Sequence, residues 1–393
     1  MKNVDLVILA GGKGSRIKQY LKDKPKPMMR FNKIHFLRYL INMYSKYPIN
    51  NIYILCGFKH KIIFKNFHNK VFNFVKVKCI KENSFMGTGG ALYNLKKEKL
   101  NDFVLINGDT IFEFDLMDLI KSLKVKKIGN IALTHNHKNT NNFKLNKLGI
   151  KNSNIFLTNK SNLMNGGIYF FKKKLLNYIP KSKCSLENDI LPKLIKKNKI
   201  SGKIYKSFFL DIGTPKYLKI SAKSLSKQFK KPAAFLDRDG VINYDYGYVS
   251  KIKDFKFRPG VLNGLKYLIK KNYYIFIVTN QAGIAKKKFK EKDFFTLHKL
   301  LKQKLSYKNI YFDDVQYSPF HPKGLIAKYK KHSSMRKPGN KMIKNITNSW
   351  LIEKKRSFMI GDKLSDKKCA KKSSLNFYYS SKNFLKQIRR IIR

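Results

Sequence analysis

A chain of 393 residues allows two or three domains that each bury a core, and 43% hydrophobic residues with 30 Phe and 22 Tyr exclude a mainly disordered polypeptide. Lysine and arginine outnumber the acids 85 to 23, a formal charge of +62 that by itself suggests nucleic acid or a membrane surface as partner. The lysines are spread over every segment rather than gathered into an arm or tail, so the charge reads as a solvated coat that also attracts anionic substrates.

The chain opens on an expected strand, Met1 to Ala10, too short and too interrupted by Asp5 to read as a signal peptide. It feeds Gly11-Gly12-Lys13-Gly14-Ser15-Arg16. Glycines at a strand end let backbone N–H groups approach a polyphosphate, with Lys13 and Arg16 supplying charge. The spacing is not that of a P-loop, and a plain tight turn is the alternative. Lys24-Pro25-Lys26-Pro27-Met28 follows, a proline-fixed segment that can hold Lys26 rigidly beside the glycines.

Leu-Ala-Gly-Gly-x-Gly-Ser-Arg followed by Lys-Pro-Met resembles the signature of sugar-1-phosphate nucleotidyltransferases, and the resemblance continues through most of the chain up to residue 220. It implies a Rossmann-like α/β domain with a mixed, mostly parallel sheet, in which Arg16 and Lys26 are catalytic. Helix 36–46 and strands 51–56, 75–80 and 103–106 are expected. Gly87-Thr88-Gly89-Gly90-Ala91 is similar to the nucleotide loop of the heptose-1-phosphate branch, or else simply opens a helix. Asp109, after the strand 103–106, and Asp211 match the family's Mg²⁺ aspartates, which would assist displacement of pyrophosphate from an NTP. Asn165 and Gly166 fall on a sugar-binding strand of the family. Glu187 reads equally as a sugar-hydroxyl acceptor or a helix-start acid, and Lys160 corresponds to a second phosphate lysine.

A helix and lysine-rich linker over 215–231 carry the chain into a second domain, with boundaries at 1–228 and 229–393. The apolar run Ala234-Phe235-Leu236 ends in Asp237-Arg238-Asp239-Gly240, delivering two carboxylates two residues apart at a strand end. The first can attack phosphorus while the second protonates the leaving oxygen. Thr279-Asn280-Gln281, Arg336-Lys337-Pro338 and Gly361-Asp362 with Asp366 follow, each placed where a parallel strand would end. With FLDRDGVIN, RPGV and TNQAGIA, these resemble haloacid-dehalogenase-type phosphatases of the heptose bisphosphate and histidinol phosphate branch. That resemblance implies Asp237 as nucleophile and Asp239 as general acid and base. It places Thr279, Asn280, Arg336 and Lys337 on phosphate, and Mg²⁺ on Asp237, Asp362 and the Asp239 carbonyl with Asp366 in support. Asp366 alternatively caps a helix.

The family's zinc loop is not reproduced. Ser318, Phe320, Ser333 and Met335 stand at its ligand positions and are poor zinc ligands, so no zinc is expected and packing alone is expected to hold the loop. Cys56, Cys79, Cys184 and Cys369 lie far apart and read as buried hydrophobes of a reducing compartment. The basic segment 383–393 is expected to be a surface helix. No run approaches membrane-span length, and a cytoplasmic location is expected.

Together the two resemblances imply one bifunctional enzyme of activated-heptose synthesis for surface polysaccharide, acting on NTP and sugar phosphates without nucleic-acid or membrane partners. D-glycero-D-manno-heptose, the α anomer and GTP are favoured. The alternatives are the same chemistries on mannose, hexosamine or histidinol-type phosphates, a basic nucleic-acid-binding protein, and a phosphatase domain reduced to a structural module.

Overall fold

The computed structural model describes residues 4–21, 23–135 and 148–393. Residues 1–3 of the expected first strand lie outside the described residues. The chain divides into two compact units, 1–44 with 49–224 and 45–48 with 225–393.

In the first unit, strands Val4–Leu9, Ile49–Cys56, Val75–Lys81 and Asp102–Asn107 lie parallel, with Val4–Leu9 between 49–56 and 102–107. Leu6, Val7, Ile8, Ile52 and Leu105 are fully buried, because both faces of this part of the sheet are covered. Beyond it the sheet is mixed. Leu163–Phe171 runs antiparallel to both Asp102–Asn107 and Gly129–His135, and Ile200–Ile204 returns parallel to Gly129–His135. The parallel character expected from alternating strands and helices is therefore confined to part of the sheet. The long antiparallel strand keeps its place through a register shift between Asn165 and Tyr169, where Gly167 takes a positive φ.

Register sets up the site. Leu9 pairs with Asn107, so the glycine loop and Asp109 leave the sheet side by side. The Gly108 N–H donates to Leu9 O at 2.8 Å. A short antiparallel ladder of Thr110–Phe112 with Phe209–Asp211 places Asp211 opposite Thr110, and the Ile212 N–H donates to Asp109 O at 3.0 Å. Two aspartates far apart in sequence are thereby brought to one point.

The second unit is built on five parallel strands in the order 314–318, 274–280, 233–236, 358–361, 376–379. Ala233–Leu236 is central and fully buried, which explains its unbroken apolar sequence. Trp350 packs against Tyr274 and Phe276, at ring separations of 4.9 and 5.3 Å, to close one face. The C-terminal helix Phe384–Ile391 is not simply a surface element. Phe384 and Ile388 are buried, and Phe384 lies so close to Gly264 that a Cβ there would overlap its ring. Its basic residues Lys386, Arg389 and Arg390 take the exposed face.

All four cysteines are buried. Among the described residues no helix is long and apolar enough to cross a membrane.

Candidate active sites

The first unit carries a cavity of about 350 Å³ over the carboxyl ends of its parallel strands. At one end, Lys26 Nζ lies 2.7 Å from Asp109 Oδ2, on the segment fixed by Pro25 and Pro27. Asp211 accepts from the Gly213 N–H at 2.5 Å. Burial pushes the Asp211 carboxyl up to about 7, Asp109 adding repulsion and Lys26 opposing it. Two crowded carboxylates beside one ammonium are the donor set a divalent cation would relieve. Arg16 and Gly11, Gly12 and Gly14 line the same cavity.

At the other end, Thr88 Oγ donates to Glu187 Oε2 at 2.5 Å and accepts from the Leu186 N–H at 2.9 Å. The Tyr169 hydroxyl donates to Glu187 Oε1 at 3.3 Å and accepts from Asn165 Nδ2 at 2.8 Å. Ser185 caps the turn 186–190 by accepting from the Asn188 N–H, so Glu187 faces the cavity while another residue closes the helix start. Gly87 has φ +73°, and a Cβ there would lie 2.5 Å from Cys184 O, so only glycine fits the start of this loop.

Several expected residues stand apart from the cavity lining. Lys13 is exposed on the glycine loop, and Lys160 is exposed in the turn before Leu163, its N–H bonded to Thr158 Oγ. Gly89 packs on Cys184 and Gly166 under the Phe112 ring. Tyr169, at the end of the expected sugar-binding strand segment 165–169, lines the cavity, as does Glu82, which carries no signal in the sequence because an acid after a strand is common.

In the second unit the strand ends converge as the D-x-D spacing suggests. Asp237 follows the central strand, its N–H bonded to Ile360 O at 2.9 Å. Ligand oxygens of Asp237, Asp362 and Asp366 lie within 4.8 Å of one another. Lys337 Nζ, almost fully buried, sits 2.9 Å from Asp237 Oδ2. Burial raises the Asp237 carboxyl and Lys337 counteracts that. Asp239 is held by Arg238, whose Nη2 lies 2.9 Å from both its oxygens, and accepts from Gln281 Nε2 at 2.9 Å and Asn243 Nδ2 at 2.9 Å. Gln281 also donates to Thr279 Oγ at 2.8 Å, tying the threonine to Asp239.

Three placements differ from expectation. Lys337 does not follow a strand; it sits in the loop ahead of helix Lys341–Thr347 and reaches the site because the chain returns there. Asn280 turns both ends of its amide to the Lys337 backbone, at 3.1 and 2.9 Å, rather than towards a phosphate. The loop around Ser318, Phe320, Ser333 and Met335 is not held by packing alone. Tyr317 and Tyr329 both donate their hydroxyls to Glu291, at 2.7 and 2.8 Å, pinning the loop to helix Glu291–Ser306. Arg336 is half-buried beside this loop, with a guanidinium contact to Phe320 O at 3.4 Å.

The family model for nucleotidyl transferases matches residues 6–227, more than half of the chain. The chain belongs to the nucleotidyl transferase family. A second family, described as polynucleotide kinase 3 phosphatase, matches residues 233–389. The D-glycero-β-D-manno-heptose-1,7-bisphosphate 7-phosphatase of Rhodopseudomonas palustris is 37% identical over 163 residues, covering 40% of this chain and 91% of that protein. Its counterpart from Photorhabdus laumondii is 42% identical over 139 residues, covering 35% and 74%. The second part of this nucleotidyl transferase therefore also belongs with those phosphatases. The crystal structure of HddC from Yersinia pseudotuberculosis complexed with GMP-PN is 30% identical and covers 56% of this chain and 99% of that one, with a TM-score of 0.48. One chain thus carries both a nucleotidyl transferase and a unit related to heptose bisphosphate phosphatases.

Proposed function

We propose that residues 229–393 remove the 7-phosphate of D-glycero-D-manno-heptose 1,7-bisphosphate, and that residues 1–228 transfer a nucleotidyl group from GTP to the resulting 1-phosphate with release of pyrophosphate. The observation that carries this reading is the set of buried Asp237, Lys337 and Asp366 with half-buried Asp362, in a unit similar to heptose bisphosphatases, on the same chain as a nucleotidyl transferase. Removal of one phosphate from a bisphosphate leaves the 1-phosphate that a transferase consumes. The product is a nucleotide-activated heptose for surface polysaccharide, and its NTP requirement places the reaction in the cytoplasm.

In the phosphatase, an Asp237 oxygen attacks phosphorus and the bond to the sugar oxygen breaks. Asp239 gives that oxygen a proton, then takes one from the water that attacks the aspartyl phosphate and frees phosphate. Lys337 and Thr279 hold the phosphoryl oxygens, and Arg238 with Gln281 keeps Asp239 in one orientation. Asp237, Asp362 and the Asp239 carbonyl fit Mg²⁺: Asp362 Oδ1 is buried without a protein donor among the described residues. In the transferase, Asp109 and Asp211 fit a second Mg²⁺. When bound, each cation neutralises charge on the phosphate oxygens in transfer. The glycine loop, Arg16 and Lys26 hold the triphosphate while an oxygen of the sugar phosphate displaces pyrophosphate in line. Glu187, Asn165 and Thr88 receive the sugar.

The test is a coupled assay of the intact chain with heptose 1,7-bisphosphate, Mg²⁺ and each of GTP, ATP, CTP and UTP, following phosphate and pyrophosphate separately. Both anomers are supplied, since the phosphatase relatives are named for the β form. Phosphate without NTP, then pyrophosphate with GTP alone, is expected. Asp237→Asn abolishes the first and Asp109→Ala the second. Absence of both ions would remove the heptose assignment.

A further inference from the structure

The positive charge of this chain is carried mostly by lysine. Only ten of its 85 cationic side chains are arginine, and three of those, Arg389, Arg390 and Arg393, fall within five residues. No acid occurs between Asp254 and Glu291, or after Asp366. The lysine coat is spread over every segment, but arginine is concentrated in a stretch that holds no counter-charge.

The fold brings the two acid-free stretches together. Helices Val261–Lys270 and Phe384–Ile391 start side by side, where the Phe384 N–H donates to Pro259 O at 3.0 Å and the Phe384 ring covers Gly264. Farther along, Lys271 and Arg389 both lie over the Tyr267 ring, 5.6 and 5.8 Å from its centre, so the helices run in the same direction. Phe384 and Ile388 are buried, which leaves Lys386, Arg390 and Arg393 exposed at helical spacing. Lys266 and Lys270 are exposed one turn apart on the neighbouring helix. Lys271 shortly precedes Tyr274, the first residue of its strand, so these cations gather towards the amino edge of the sheet, opposite the edge that carries Asp237.

A cation at a helix end is favoured by the helix dipole, but that does not account for like charges from two helices over one ring. With no carboxylate in either helix, their repulsion is relieved by an external anion. The face also carries aliphatic side chains: Ile269 is 39% exposed, and Leu385, Ile391 and Ile392 are partly so. Aliphatic groups among cations suit the boundary between lipid headgroups and acyl chains, whereas a nucleic-acid surface calls for exposed aromatic rings, and Tyr267 is already covered by Lys271 and Arg389.

We propose that this two-helix face docks the second unit on a bilayer surface rich in anionic phospholipid, with the strand ends bearing Asp237 turned to solution. The expectation of no membrane partner treated all cations alike; planar guanidinium groups hold phosphate oxygens in pairs, as lysine does not.

The test is co-sedimentation of the intact chain with vesicles of phosphatidylcholine alone or mixed equally with phosphatidylglycerol, at physiological salt. Binding to the mixed vesicles only is expected. Each cation near such a surface contributes roughly fivefold, so Arg389→Gln, Arg390→Gln and Arg393→Gln together should weaken binding about a hundredfold. Removing the same charge from the first unit, by Lys174→Gln, Lys196→Gln and Lys197→Gln, should change it little. An unchanged urea midpoint shows that the arginine variant is folded; if it is not, Lys266→Gln with Lys270→Gln decides in its place, with a loss of more than tenfold expected. Equal binding to both vesicles, no binding to either, or an equal loss in the first-unit variant overturns the proposal. A chain that ignores vesicles but binds RNA through the same arginines assigns the face to nucleic acid and overturns it as well.

Discussion

Lys337 Nζ lies 2.6 Å from Asp366 Oδ1, with both side chains almost fully buried. Asp366 also accepts from the Lys363 N–H at 3.0 Å through its other oxygen, so one carboxylate caps helix Leu364–Lys371 and fixes the lysine that faces Asp237. The helix-cap reading is met by the Lys363 N–H, and the same carboxylate lies in the acidic cluster with Asp237 and Asp362. Asp366→Asn leaves Lys337 short of one counter-charge in a buried place, a loss of about 3–5 kcal/mol. Urea melts should show a destabilised second unit, and phosphate release should fall roughly ten- to hundredfold. Unchanged stability would mean the pair is solvated.

Glu187 separates two roles by kinetics. A sugar hydroxyl donating to its carboxylate contributes about 1.5–3 kcal/mol, so Glu187→Gln should raise KM for heptose 1-phosphate roughly tenfold or more. KM for GTP should stay put. A mere helix-start acid would leave both constants alone and shift only the melting curve.

Tyr329 and Tyr317 hold the loop that leads to Arg336 and Lys337 through a shared acceptor, Glu291. Tyr329→Phe removes a hydrogen bond to a charged group, worth about 1.5–3 kcal/mol, and should loosen Lys337 and slow phosphate release. A zinc-selective chelator in excess Mg²⁺ should leave wild-type phosphate release unchanged. Inactivation by that chelator would mean the loop depends on a metal after all.

His298 is buried against the Phe294 ring, at 4.4 Å between ring centres. Burial holds its imidazole well below the ordinary value, Arg238 and Lys302 adding repulsion. The folded state therefore resists a proton that the unfolded chain accepts below about 6.5. This contribution to stability is fully present above that pH and declines as pH falls, by up to about 1.4 kcal/mol per pH unit. Urea midpoints at pH 7.5 and 5.5 should differ less for His298→Leu than for the wild type; equal differences would show that His298 is protonated in the fold.

The strand-end chemistry was legible because it is local. Gly11 to Arg16, Lys26, Asp109, Asp237 and Thr279 each stand beside an apolar run, and a parallel strand delivers whatever follows it to one edge of the sheet. Lys13, Lys160, Gly89 and Gly166 were less well read, since a lysine or glycine near a motif shows nothing of whether its Cα faces the cavity or the core. The docking of the C-terminal helix is masked in the sequence for a related reason: its three basic residues outnumber its two buried ones, Phe384 and Ile388, four apart, of which Phe384 packs on Gly264.

By itself, then, the sequence determined two α/β units and the acids that end their central strands, because period and spacing act over a few residues, while resemblance of the motifs to known families implied the reaction classes. Only the tertiary structure decided which distant groups meet: Asp109 with Asp211, Lys337 with Asp366, Glu291 with Tyr329, and Glu82 across Gly11. These encounters depend on strand register and on where loops return, and burial then sets their charges and strengths by removing water that the sequence alone leaves in place.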